Sequence, residues 1–144
     1  TGVQTCALPI SDPARLRALG AWADLLGDPD RTYTTWPETR HHPNGALEWP
    51  SPIFDPDLAR FQGWLYETGW IIPFDWSAWC GTDGHELIRD PAAVARADGP
   101  DLARILTAAV RSERFSTGAI EEAFRRGVIQ AALWRARELG EAPM

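Results

Sequence analysis

The chain has 144 residues, 44% of them hydrophobic and 24% charged, with a formal net charge of −6 at pH 7. Such a composition supports a packed core and excludes disorder, and no apolar run approaches the roughly 20 residues that a membrane-spanning helix needs. All fourteen basic residues are arginine, a bias typical of GC-rich bacterial genomes, and the acidic balance speaks against non-specific nucleic-acid binding.

Residues 1–10, TGVQTCALPI, resemble the translation of a common short-read sequencing adapter and are expected to be non-native. The native start is then unknown, and residues 11–144 are expected to form a single helical domain. With Cys6 removed, Cys80 is the only native cysteine. One thiol gives no internal disulfide and no thiolate metal site, and it favours a cytoplasmic home.

Helix starts stand out first. Asp-Pro occurs at Asp12-Pro13, Asp55-Pro56 and Asp90-Pro91. Asp accepts from the orphan N–H groups of a first turn, and Pro at the first helical position loses no hydrogen bond. The spacing predicts a helix over 13–26, with Leu16, Leu19, Ala23 and Leu26 on one face and Gly27 ending it. Residues 28–52 carry six prolines and glycines and a Thr-rich patch, which predicts a long irregular loop with at most a short strand near Tyr33. A helix over 56–68 follows, with Leu58, Phe61 and Leu65 inward. Gly69 and Trp70 then fit a Schellman close in which Trp70 reaches back to Leu65.

In Phe74-Asp75-Trp76-Ser77-Ala78-Trp79, Asp75 fits an N-cap, and Phe74 with Trp79 fits a hydrophobic staple. That helix is weakened by Gly81 and Gly84. A short helix over 91–97 and a longer one over 100–114 come next, the latter with Leu102, Ile105, Leu106 and Ala109 inward. The same staple logic reads Ser116 as a cap and pairs Phe115 with Ile120. This helix stops at Gly127, and a last one over 128–139 buries Ile129, Leu133 and Ala136. The expected class is all-α, a compact single-domain bundle of about six helices with one long irregular loop.

From Gly69 to Leu139 the chain resembles a bacterial family of domains of unknown function, number 6508 in that series. The residues that carry the resemblance are Gly69, Pro73-Phe74-Asp75-Trp76, Trp79, Ala97-Asp98, Leu106-Thr107 and Arg111. Further on they are Arg114-Phe115, Gly118, Gly127, Ile129, Leu133 and Arg135. The resemblance supports the fold and implies no active site.

Arg104, Arg111 and Arg114 fall within one broad helical stripe and suit an anion or a binding partner, because guanidinium forks match carboxylate and phosphate. The weightier expectation is internal pairing, with Arg111 held by Asp75 or Asp98. Eight tryptophans are the compositional outlier; Trp70, Trp76 and Trp79 are explained by cap, staple and core, whereas Trp134 lies off the apolar face and marks a contact surface. Asp75 as a general base is outweighed by its capping role. His41, His42 and Glu38 in the loop, with His85 distant, lack metal-ligand spacing, so no metal and no cofactor are expected.

Residues 117–137 also read as a degenerate helix-turn-helix, with Arg125, Arg126, Arg135 and Arg137 available for phosphates. Glu121, Glu122 and Glu138 on the same helices oppose this, as does an acidic residue or arginine where the motif needs apolar ones. The sequence therefore favours a protein-interaction or binding module, with a protein partner ahead of nucleic acid and no membrane. A DNA-binding accessory protein is the alternative, and an enzyme of unknown reaction comes third because no catalytic group assembles.

Overall fold

The computed structural model describes residues 10–48 and 52–142. Residues 1–9, most of the adapter-like segment, and residues 49–51 of the expected loop lie outside the described residues. Ile10 packs partly buried against the core.

The Asp-Pro signals act as caps. Asp12 accepts from the Ala14 N–H at 2.9 Å and opens α1 (Pro13–Gly20). Asp55 accepts from the Asp57 N–H at 2.8 Å and opens α3 (Pro56–Glu67). Asp90 does the same for the Ala92 N–H at 2.9 Å, ahead of α5 (Pro91–Val94). The expected first helix is interrupted. It breaks at Ala21-Trp22, where the Trp22 N–H bonds to the Leu19 carbonyl at 3.1 Å, and resumes as α2 (Ala23–Leu26). The break sends the Trp22 ring onto α3, with centroids 5.2 Å from Phe61 and 5.7 Å from Trp64. Aromatic burial there outweighs helix continuity.

The expected irregular loop is partly ordered into two antiparallel ladders. Strand β1 (Thr34–Thr35) pairs with β4 (Ile53–Phe54), Thr34 opposite Phe54, and β2 (Arg40–His41) pairs with β3 (Leu47–Glu48), Arg40 opposite Glu48. Each strand is two residues long, too short to leave an alternating pattern in the sequence.

The remaining helices are α4 (Trp76–Cys80), α6 (Gly99–Ser112), α7 (Ala119–Arg125) and α8 (Val128–Glu141). The core joins Leu16 and Leu19 of α1, Leu58, Phe61 and Leu65 of α3, Leu102, Ile105 and Leu106 of α6, and Ile129, Leu133 and Ala136 of α8. The Schellman close forms as expected, the Trp70 N–H reaching the Leu65 carbonyl at 3.0 Å, and Trp70 is buried. Buried Thr107 pins the chain after it. Its hydroxyl donates to the Trp70 carbonyl at 3.3 Å and accepts from the Ile72 N–H at 3.0 Å.

The tightest helix contact joins α1 to α8, where glycine is required by space. A Cβ on Gly20 would stand 2.5 Å from the Arg137 Cα, and one on Gly140 would stand 2.8 Å from the Arg17 N. In an open helix interior, Gly→Ala stabilises by up to about 1 kcal/mol. At Gly20 we expect the opposite sign: Gly20→Ala should destabilise by about 1–3 kcal/mol in urea unfolding, because the helices must move apart. An unchanged midpoint would show that the contact yields easily.

Candidate functional site

The Thr107-pinned segment delivers Phe74, Asp75 and Trp76 to the outer side of α6. Asp75 accepts from the Ala78 N–H at 3.1 Å and so caps α4, as its position predicts. Phe74 and Trp79 meet edge to face, centroids 5.8 Å apart with rings inclined at 75°. The staple turns Trp76 away from the interior. The core role expected for Trp76 is therefore corrected: it is half-buried, and its ring lies 5.8 Å from that of Phe115.

Phe115 is the larger correction. The expected staple with Ile120 does not form. Ile120 is in the core, but Phe115 is 79% exposed. Nor does the Ser116 side chain cap α7. The residue before α7 is Gly118, in the left-handed region at φ 96°, which only glycine adopts without strain. The helix thus starts two residues later than Ser116 would require. The missing cap is supplied by Glu113, whose carboxylate accepts from the Gly118 N–H at 2.9 Å and the Ile120 N–H at 3.1 Å. This clasp was absent from the sequence reading. Its only signal was an acidic residue placed to face a helix N-terminus across a short turn. Closed from both ends, the turn 114–117 projects Arg114 and Phe115 outward.

The arginine stripe divides. Arg104 pairs with Asp101 at 2.7 Å. Arg111, half-buried, and Arg114, exposed, have no ion pair or hydrogen bond from their side chains among the described residues. The expected partners are engaged elsewhere, Asp75 on Ala78 and Asp98 on the Asp101 N–H at 2.9 Å. Orphan amides at two helix starts have taken the carboxylates that the guanidiniums were expected to hold.

Beside the Trp76–Phe115 pair a cleft of about 320 Å³ opens between α4, α6 and α7. Its apolar lining includes Ile105, Ala108, Ala109, Ala123 and Val128, and its polar lining includes Cys80, Ser112, Thr117, Glu122 and Arg126. Burial pushes the Cys80 thiol up, against the pull of the Arg89 charge, so it stays protonated at neutral pH. Glu122 is held by Arg125 at 3.0 Å and by Arg126 at 3.1 Å. The protonated thiol is not poised as a nucleophile. Over the start of α7, the Trp36 indole N–H donates to Glu121 at 2.6 Å and brings the strand-bearing arm to this end of the molecule.

Trp134 lies elsewhere. It is about half-exposed, but its indole N–H donates to the Gly27 carbonyl at 3.2 Å and the Arg137 guanidinium lies 5.3 Å over its ring. It straps α8 to the end of α2. The four arginines of the helix-turn-helix reading are likewise engaged. Arg125 and Arg126 hold α7 carboxylates. Arg135 donates to the Ala97 carbonyl at 2.8 Å and to Glu138 at 2.7 Å, and Arg137 grips Asp24 at 3.1 and 3.3 Å. Gly127, at φ 80°, lies in the two-residue link between α7 and α8. His41 lies on β2, whereas His85 sits beside Arg89 at 3.1 Å. Among the described residues no three His, Cys, Asp or Glu side chains are grouped to hold a metal ion, and no helix is long and apolar enough to cross a membrane.

The sequence matches the family of unknown function DUF6508 over residues 11–142, and the chain belongs to that family. The match extends well beyond the stretch from Gly69 to Leu139 and takes in the arm and α1. No curated protein and no solved structure matches the chain.

Two stability measurements check this geometry. Glu113→Ala removes the acceptor for two helix-start amides and should lower stability by about 1–2 kcal/mol, the range for losing a cap. Arg111→Ala should lower it by less than about 1 kcal/mol, since only stem packing is lost. A loss of several kcal/mol for Arg111→Ala would restore the buried ion pair that the sequence suggested.

Proposed function

We propose that the chain is a small interaction module that holds a segment of another protein at the corner where α4, α6 and α7 meet. The observation that carries this reading is the exposed Phe115 ring, held out by the Glu113 clasp and touching Trp76. A large aromatic displayed on a braced turn needs a partner to bury it, and aromatic and arginine side chains are the usual anchors of protein interfaces. The adjoining cleft is at the small end of ligand pockets and its alanine-rich wall suits one apolar side chain.

The competing reading, duplex DNA held by residues 117–137, draws less support. The guanidiniums it needs are engaged with Glu121, Glu122, Glu138 and Asp24. An enzymatic role lacks an activated group in the cleft. A cytoplasmic setting suits the free thiol of Cys80, and we take residues 11–144 as one working unit.

Selection of a displayed random-peptide library on the full chain tests the proposal. Enriched peptides should bind the wild type and lose at least about tenfold in affinity to Phe115→Ala, with the melting temperature of that variant unchanged. Peptides that bind Phe115→Ala as well as wild type would overturn the reading.

A further inference from the structure

We infer that the segment held at this corner is acidic, with an apolar side chain in the cleft and flanking carboxylates on Arg111 and Arg114. The inference rests on the interaction-module reading and names the chemistry of the partner.

The argument is one of charge left over. Arg31, Arg60, Arg104, Arg125, Arg126, Arg135 and Arg137 each contact a carboxylate of this chain. Arg15, Arg17 and Arg89 donate to backbone carbonyls, and Arg96, Arg111 and Arg114 have neither kind of contact from their side chains among the described residues; the last two lie three residues apart, in a chain of net charge −6. Their neighbours explain why. Of the carboxylates at this corner, Asp75 and Glu113 accept from backbone N–H groups at 3.1 Å and at 2.9 and 3.1 Å, and Glu122 is held by Arg125 and Arg126. Arg114, next to the exposed Phe115 in the turn, and Arg111, one helical turn before Phe115, therefore keep donors without a partner among the described residues.

Guanidinium forks match carboxylates in bidentate geometry, and contacts at such a site are stronger when a neighbouring apolar group excludes water. The Trp76–Phe115 pair and the apolar cleft supply that group. Single-stranded nucleic acid also uses rings and arginines. It fits less well, because successive bases need successive open rings, and here the half-buried Trp76 ring packs on that of Phe115 and leaves one exposed face.

Fluorescence anisotropy on the full chain tests the inference with labelled synthetic probes. The first is a short peptide with one central Trp flanked on both sides by Asp. Its counterparts carry Asn or Lys in place of Asp, and a thymidine oligonucleotide serves as the nucleic-acid probe. The proteins are the wild type, Arg111→Ala/Arg114→Ala, the charge-matched Arg60→Ala/Arg96→Ala and Phe115→Ala.

The Asp peptide should bind the wild type at least about tenfold tighter than the Asn peptide, with the Lys peptide weakest. Arg111→Ala/Arg114→Ala should abolish that preference while Arg60→Ala/Arg96→Ala keeps it, and Phe115→Ala should weaken the Asp and Asn peptides alike. Equal binding of both peptides, each requiring Phe115, would overturn the acidic-partner inference and leave the interaction module standing. Tighter binding of the oligonucleotide, lost in Arg111→Ala/Arg114→Ala, would replace a protein partner with nucleic acid. Peptide binding that ignores Phe115, or no binding of the Asp peptide up to about 1 mM, would overturn the inference and place the site elsewhere.

Discussion

Two helices from opposite ends of the chain touch backbone to backbone, and the positions of the other helices follow from that contact. Gly20 of α1 lies against the Arg137 backbone, and Gly140 of α8 lies against Arg17. The absence of two side chains lets the axes come close, and Leu16, Leu19, Leu133 and Ala136 share one buried core. Polar straps lock the register. Arg17 donates to the Gly140 carbonyl at 3.0 Å, Arg137 grips Asp24, and the Trp134 indole holds the Gly27 carbonyl. Helix α7 hangs from α8 by a two-residue link, so fixing α8 fixes where α7 can lie against α6. The cleft and its rim are set by a contact that includes none of their residues.

At the corner, carboxylates are shared between two kinds of donor. A helix start presents several amide N–H groups without intrahelical partners, fixed in direction by the backbone. A guanidinium on a flexible stem can turn to water at little cost, whereas an amide at a helix start is fixed in direction, and those of Gly118 and Ile120 are part-buried as well. Asp75, Asp98 and Glu113 accordingly serve amides, and Arg111 and Arg114 are left open. The same preference that stabilises three helix starts creates an unsatisfied positive edge on an acidic protein.

Features decided within about six residues were readable. The three Asp-Pro caps, the Gly69-Trp70 close and the Phe74–Trp79 staple depend on neighbours in sequence, and each forms. The family resemblance was readable too, and the match covers more of the chain than its motifs. Features decided by distant partners were not, and one local pattern misled. The pattern at Phe115–Ile120 is the same as at Phe74–Trp79, yet Gly118 in the left-handed region rotates the two residues apart. The pairing of Thr34 with Phe54 spans twenty residues and leaves no periodicity. Gly20 and Gly140 look like ordinary helix glycines until the two helices are brought together. The arginine stripe was readable as a stripe, but its partners depended on which donors reached each carboxylate first.

The clasped turn bears most directly on how such a corner would bind. A loop carrying an aromatic anchor usually loses conformational freedom when a ligand orders it, and that loss subtracts from affinity. Here the turn 114–117 is closed before any ligand arrives. The Ser116 N–H bonds back to the Ser112 carbonyl at 2.8 Å, Glu113 spans to Gly118 and Ile120, and Trp36 closes down on the far side through Glu121. Phe115 is thus exposed yet limited in the directions it can take. An exposed ring on a mobile loop would fold back onto apolar surface; a ring on a braced turn cannot. Its exposure follows from the bracing, and the bracing follows from a glutamate that serves amides rather than arginine.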